Sequence, residues 1–233
     1  LEAGKPLENL PDRLKLIAKS TDKGAEFLNK LSFYVNEYVS KRIPEISDEL
    51  YKIDDAMRAG FFWSMGPFEQ WDAVGVRKTV ERMKAAGFNP APWVEEMLAA
   101  GNENFYKVEN GVKKYYDIPS KAYKAIPGRE AFIYLENYKE QKPVWKNAMC
   151  RVDDIGDGVL NVSWNTKMNS IGGEVIEAIN KGIDIAEQHG WKGVVLGHDG
   201  TNFSAGANLA MIFMLALEQE YDELDFAVRA FQN

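Results

Sequence analysis

The hydrophobic period of this chain changes once, near residue 147, and that change limits the folds open to it. From about residue 10 to 103, apolar residues recur at helical spacing. In TDKGAEFLNKLSFYVNEYVSKR, the residues Phe27, Leu28, Leu31, Tyr34, Val35 and Tyr38 form one stripe. Beyond Lys146 the text is different. AMCRVDD and GVLNVSWN are short strand-like runs on either side of Gly156-Asp157-Gly158. An amphipathic helix follows, GGEVIEAINKGIDIAEQHG, with Val175, Ile176, Ile179, Ile183 and Ala186 on one face. KGVVLG then reads as a buried strand, and a polar turn leads into a last helical run. Strand, strand, helix, strand, turn, helix is the start of an α/β layer. The expected class is α+β overall: an all-α domain over 1–126, a charged, Tyr-rich connector over 127–147, and an incomplete α/β part over 148–233.

Local signals punctuate the helical part. Ser47 suits the cap of SDELYKIDDAMRAG, and Gly60 suits its left-handed stop. Gly66-Pro67 opens PFEQWDAV, which Gly75 closes, and Gly87 ends the next helix. FYKVE-NG-VKKYY reads as a hairpin, because Asn110-Gly111 supplies the two positive-φ residues of a type I′ turn.

Composition narrows the function classes. With 45% apolar and 27% charged residues in 233, the chain has the profile of a soluble globular protein. A net charge of −7 argues against a nucleic-acid surface. No apolar run is long enough for a membrane span, and the first residues lack a signal-peptide core. A single cysteine, Cys150, fits a reducing compartment, and a cytoplasmic location is expected. Cys150 reads as a small packed residue, and Trp63, Trp71 and Trp93 as helical core. The chain opens on Leu1 and reads like the middle of a longer one.

Known cofactor motifs are missing: there is no G-x-G-x-x-G, no phosphate-binding P-loop, and Ser204 in FSAGA is no nucleophile elbow. The histidines, His189 and His198, lie nine apart without flanking cysteine, so no metal site is expected. His189 suits a helix end beside Gly190. His198 and Asp199 read first as turn residues satisfying backbone groups, at a strand end where ligands often bind.

Two stretches remain, NTKMNSIGG (165–173) and NFSAGANL (202–209). Each turns the chain from a strand into a helix and exposes backbone N–H groups, which attract oxygen anions. Together they resemble the first half of the enoyl-CoA hydratase/isomerase (crotonase) family. The resemblance implies that the Ala207 N–H is one of two oxyanion-hole donors to an acyl-CoA thioester. It implies a substrate-binding lining of Lys167, Met168, Asn169, Ala205, Gly206, Asn208 and Leu209, with Lys167 able to meet a phosphate of coenzyme A.

The helical half, through IDDAMRAGFFWSMGPFEQWDAVG, resembles the C-terminal domain of 3-hydroxyacyl-CoA dehydrogenases over about residues 12–118. That resemblance implies burial of an acyl chain, dimer contacts and hence a homo-oligomer, and an active-site asparagine at the place of Asn29, here read as packed or vestigial. The family's NAD-binding domain has no counterpart in this stretch. Dehydrogenase module followed by crotonase is the order of fused fatty-acid oxidation enzymes. The expectation is an internal fragment of such a bifunctional enzyme, inactive alone, without nucleotide domain or hydratase carboxylates. The rival reading is a non-catalytic oligomerisation or docking module.

Overall fold

The structure, a computed structural model, describes residues 2–7, 9–200, 202–207 and 209–232. Helix and sheet are mixed along the chain, as α+β requires. Residues up to Ala131 form one compact unit and residues from Phe132 onward a second.

The first unit begins with helices α1 (Leu10–Lys19) and α2 (Lys23–Lys41). Asn9 and Asp22 cap them by accepting N–H groups of the first turn. The apolar stripe expected on α2 is not its buried face. Phe27, Leu31, Tyr34 and Tyr38 stay exposed, whereas Ala25, Phe33, Asn36, Val39 and Ser40 are buried. Ser40 explains the rotation. Its hydroxyl accepts the Ala91 N–H, and its carbonyl accepts the Trp93 indole, so a small residue must face that segment.

Helix α3 (Leu50–Phe61) starts after the predicted Ser47 cap and runs past Gly60. Ser47 instead bonds to Glu49 in a tight turn. Phe62 takes the left-handed stop, because Arg58 holds the last turn by bridging Asp55 and Glu69. Helices α4 (Pro67–Val74), α5 (Val76–Ala85) and α6 (Pro92–Ala99) follow their proline and glycine punctuation.

The unit is not all-α. Strands β1 (Tyr106–Glu109), β2 (Val112–Asp117) and β3 (Ala122–Ala125) make an antiparallel sheet in sequence order. Asn110 and Gly111, at φ 51° and 75°, form the expected tight hairpin turn. Buried Tyr115 and Tyr116 commit this sheet to the helical core, where Tyr115 meets Tyr51 at 4.8 Å. Phe68, Trp71, Val94, Met97 and Phe105 lie at the centre of that core.

The second unit holds a four-stranded mixed sheet, order β4-β5-β6-β7. Strand β4 (Trp145–Lys146) comes from the segment expected to be a mere connector, which also holds a 3-10 turn at Leu135–Tyr138. Strands β5 (Cys150–Asp154) and β6 (Val159–Trp164) are antiparallel across the Gly156–Gly158 turn. Helix α7 (Gly173–His189) crosses over to β7 (Gly193–Leu196), which lies parallel to β6. His189 stands in the last turn of α7 and Gly190 adopts the left-handed cap.

On α7 Val175 and Ala186 are buried as expected, but Ala178 and Gly182 join them in place of the isoleucines of the predicted face. Small residues let the helix approach the sheet, and the isoleucines flank the seam, with Ile183 left exposed. Nor is β7 a buried strand: it is the sheet edge, α7 covers Val194, and Val195 and Leu196 are exposed. Helices α8 (Leu209–Leu217) and α9 (Tyr221–Gln232) complete the unit, with no buried residue among those described in either. Among the described residues no helix is long and apolar enough to cross a membrane.

Candidate functional site

The two motif stretches are brought together at one end of the β6–β7 pair. Residues 167–169 make a single 3-10 turn in which Met168 and Asn169 both take positive φ, at 54° and 55°. That backbone points the Met168 carbonyl at the second stretch, where it accepts the Ala205 N–H (3.2 Å) and the Asn202 side-chain amide (3.2 Å). Asn169 returns the contact, its amide donating to the Asn202 carbonyl at 2.8 Å. The Ile171 N–H donates to the Gly206 carbonyl (3.0 Å), and Ile171 and Ala207 form an isolated parallel bridge. The two turns are therefore one cross-linked object.

Ala207 is exposed, and among the described residues its N–H has no hydrogen-bond partner. Gly206 precedes it at φ 90°, a left-handed value that suits glycine. Ser204 accepts the Gly206 N–H through its hydroxyl. Lys167 and Met168 are exposed, Asn169 is half-buried, and Ala205 is exposed. Leu209, the first residue of α8, is 77% exposed. Asn208 lies outside the described residues.

Below this turn sits an aromatic base that the sequence reading did not connect to it. His198 packs edge-on to Trp164 (4.7 Å) and parallel to Phe203 (5.9 Å). The Trp164 indole donates to the Asn169 carbonyl at 3.3 Å. His198 does bond backbone groups, Gly200 N–H and Phe203 carbonyl, as a turn residue should. The available signal was position: Trp164 directly precedes NTKMNS, and Asn202 opens NFSAGANL.

A cleft of about 550 Å³ adjoins this base, lined in part by Lys139, Lys146, Arg151, Asn161 and His198. It meets the motif stretches only at Asn165 and Asn169 and reaches residues 198–200 beside them, so Ala205–Ala207 lie outside it. Arg151 is already spent on Asp153 and three carbonyls. Cys150 is buried, and burial, with Glu174 and Glu177 nearby, pushes its thiol up to about 11.

In the first unit, IDDAMRAG…GPFEQWD proves to be a buried polar network. Asp54 accepts the Phe68 and Glu69 N–H groups and the Tyr106 hydroxyl, at 2.9, 3.1 and 2.8 Å. Asp72 accepts the Phe105 and Tyr106 N–H groups at 2.7 and 2.8 Å. Burial raises Asp54 to about 7 and Asp72 to about 8, against these hydrogen bonds. Burial also pushes Glu69 upward, but Lys113, the Gly66 N–H and Arg58 outweigh it and leave its carboxyl below the usual range. A Cβ on Gly66 would come within 2.3 Å of Asp54, so the motif's glycine is steric.

Asn29 lines a separate apolar groove of about 490 Å³ with Leu14, Leu28, Leu31 and Trp63. Its amide donates to the Ile17 carbonyl at the end of α1 (3.3 Å). Among the described residues no group of three or more His, Cys, Asp or Glu could hold a metal ion.

The whole chain is similar to a probable 3-hydroxyacyl-CoA dehydrogenase of Bacillus subtilis (strain 168). The two are 38% identical over 234 residues, which is 100% of this chain and 29% of that protein. Proteins named as the trifunctional enzyme of a fatty acid oxidation complex in Rickettsia prowazekii and Rickettsia felis are 26% and 25% identical. Those matches cover 83% of this chain and 23% of each relative. The chain thus spans less than a third of the relatives it matches. No family model matches it, and no solved structure does. The relatives' names support the dehydrogenase side of the resemblance.

Proposed function

We propose that this chain is part of a fatty-acid β-oxidation enzyme acting on acyl-CoA thioesters, with the Ala207 N–H as a donor to the thioester oxygen. One observation carries the reading: the two crotonase-like turns are locked together, and the Ala207 N–H is left exposed and unpaired among the described residues. An amide fixed by its neighbours stabilises negative charge developing on an enolate oxygen without reorganising. In a hydratase that charge develops as water adds across a 2-enoyl-CoA. Lys167, exposed beside the turn, would meet a phosphate of coenzyme A. In the first unit the Leu14–Leu28–Leu31–Trp63 groove suits an apolar acyl chain.

The residues do not fit NAD. The β6–α7 turn carries non-glycine Met168 and Asn169 at positive φ rather than a G-x-G-x-x-G phosphate turn. The chain alone is expected to turn over neither a 2-enoyl-CoA nor a 3-hydroxyacyl-CoA with NAD. A second reading, an oligomerisation or docking module, is favoured by the exposed Phe27, Leu31, Tyr34 and Tyr38 face of α2.

The decisive variant is Ala207→Pro, which removes the donor itself, made in the longer enzyme that carries this segment. Loss of one oxyanion donor lowers kcat roughly 10²–10³-fold, about 3–4 kcal/mol. Thermal stability and the dehydrogenase rate serve as controls for local damage. Hydratase activity within a few-fold of the parent, in a folded variant, would mean the turn is only a turn and favour the docking module.

A further inference from the structure

The turn that leads to Ala207 is fastened by one histidine in one protonation state. His198 Nδ1 accepts the Gly200 N–H at 3.0 Å. His198 Nε2 lies 2.7 Å from the Phe203 carbonyl, which can only accept. Nδ1 is therefore bare and Nε2 carries the proton. Only the neutral Nε2–H tautomer makes both bonds at once.

The ring's position is set from below. Trp164, buried in the sheet core, holds it edge-on, while Phe203 stacks within 13° of its plane. The space is tight, since a Cβ on Gly200 would lie 2.7 Å from His198 Nδ1 and 2.3 Å from the Asn169 amide. On the far side the Asn169–Asn202 contacts tie the same turn to residues 167–169. The Gly200–His198–Phe203 staple thus ends on the first residue of FSAGA, four residues before Ala207.

We propose that His198 is a positioning residue, holding the Ala207 N–H in place as a neutral Nε2–H imidazole and releasing the turn when the ring is protonated. A second proton would sit on Nδ1 and face the Gly200 N–H, donor against donor. That bond is then lost, and the turn opens from its 200 end. The charged groups sharing the cleft are already engaged or cationic. Asp199 faces Lys139 at 3.6 Å, Asp153 is held by Arg151, and Lys146 also lines the wall. Trp164 and Phe203, the rings in contact, carry no charge.

This proposal rests on the Ala207 reading, and the test separates the two. The intact chain, ¹⁵N-labelled, is followed by NMR from pH 8 to 5, without ligand and with crotonyl-CoA as the probe. The expected result is an imidazole with Nε2 protonated at pH 8, and Gly200 and Ala207 amides that move in step with its titration. His198→Ala weakens crotonyl-CoA binding about tenfold at pH 8, the scale of one lost hydrogen bond. His198→Gln, whose amide can still donate to Phe203 but does not titrate, keeps most of the affinity and loses the acid dependence. An Nδ1–H tautomer, or an Ala207 amide indifferent to the ring's titration while crotonyl-CoA still shifts it, overturns the positioning role alone. Crotonyl-CoA that leaves the Ala207 amide unmoved at pH 8 overturns the Ala207 reading and the positioning role with it.

Discussion

Replacing Gly182 by alanine sets two known effects against each other at one atom. Gly182 lies inside α7 and faces the sheet, where a Cβ would meet Val162 Cγ2 at 2.7 Å. Val194 and Val152 methyls stand behind it at 3.8 and 3.9 Å. Helix propensity alone favours alanine over glycine by about 1 kcal/mol. Val162 is fully buried in the middle of the sheet and β-branched, so its χ1 has little freedom to give way. Overpacking of this kind costs about 1–3 kcal/mol. The net expectation for Gly182→Ala is a destabilisation of about 1 kcal/mol. Val162→Ala alone costs about 2 kcal/mol, through lost contacts and a cavity. In that background the new methyl has room, partly fills the cavity and keeps its helix preference. Gly182→Ala should then stabilise by about 1 kcal/mol, so the sign reverses. Native-state hydrogen exchange of the Leu160 and Val162 amides reads the second unit alone, through all four corners of the double-mutant cycle. The same sign in both backgrounds would refute the close-approach argument.

The pH dependence of the first unit follows from its buried carboxylates. Asp54 and Asp72 have folded values of about 7 and 8 against 3.8 for the free group, so the native state binds protons more readily than the unfolded chain. Their contribution is present in full below about 4 and lost as pH rises through 8. Glu69 acts in the opposite sense and contributes only above its unfolded value of 4.5. Urea midpoints of the first unit should therefore fall between pH 5 and 8, and Asp72→Asn should flatten the upper part of that fall. Gly66→Ala should destabilise by at least about 1–3 kcal/mol, because its Cβ meets Asp54 backbone at 2.4 Å as well as side chain; a neutral effect would contradict the steric role. Cys150 should resist alkylation at pH 8 in the native chain and react on unfolding, and rapid native labelling would contradict its burial.

Element order, the Asn110-Gly111 hairpin and the proline-opened helices were legible because each rests on a local signal. Which residues of a helix are buried was legible only in part. On α2 the apolar stripe lost to Ser40, and on α7 Val175 and Ala186 are buried as expected while Gly182 displaces the isoleucines; both small residues allow a close approach. Periodicity counts apolar surface and does not see that smallness can decide contact. Similarly, β3 and β4 carry little alternation of their own and exist because β2 and β5 offer them partners. At the candidate site, the two motif stretches could be read from the chain, and so could the helix starts they serve. The staple could not, since His198, Trp164 and Asn169 meet only once β6 and β7 are side by side.

The mixed polarity of the second sheet also sets an order of assembly. Strands β5 and β6 are joined by a few residues and can pair on the microsecond scale of a hairpin. The β6–β7 pairing is parallel, and its register, Val159 with Gly193 through Val162 with Leu196, closes only after the chain has crossed over through α7. Val162 and its neighbours therefore acquire their antiparallel partners before their parallel ones. The contacts of His198 with Gly200 and Phe203 lie just beyond β7, so they form after that pairing. In pulse-labelling refolding, the Asp153 and Asn161 amides, which face each other across β5 and β6, should be protected before the Gly197 N–H, which donates to the Val162 carbonyl at 3.1 Å.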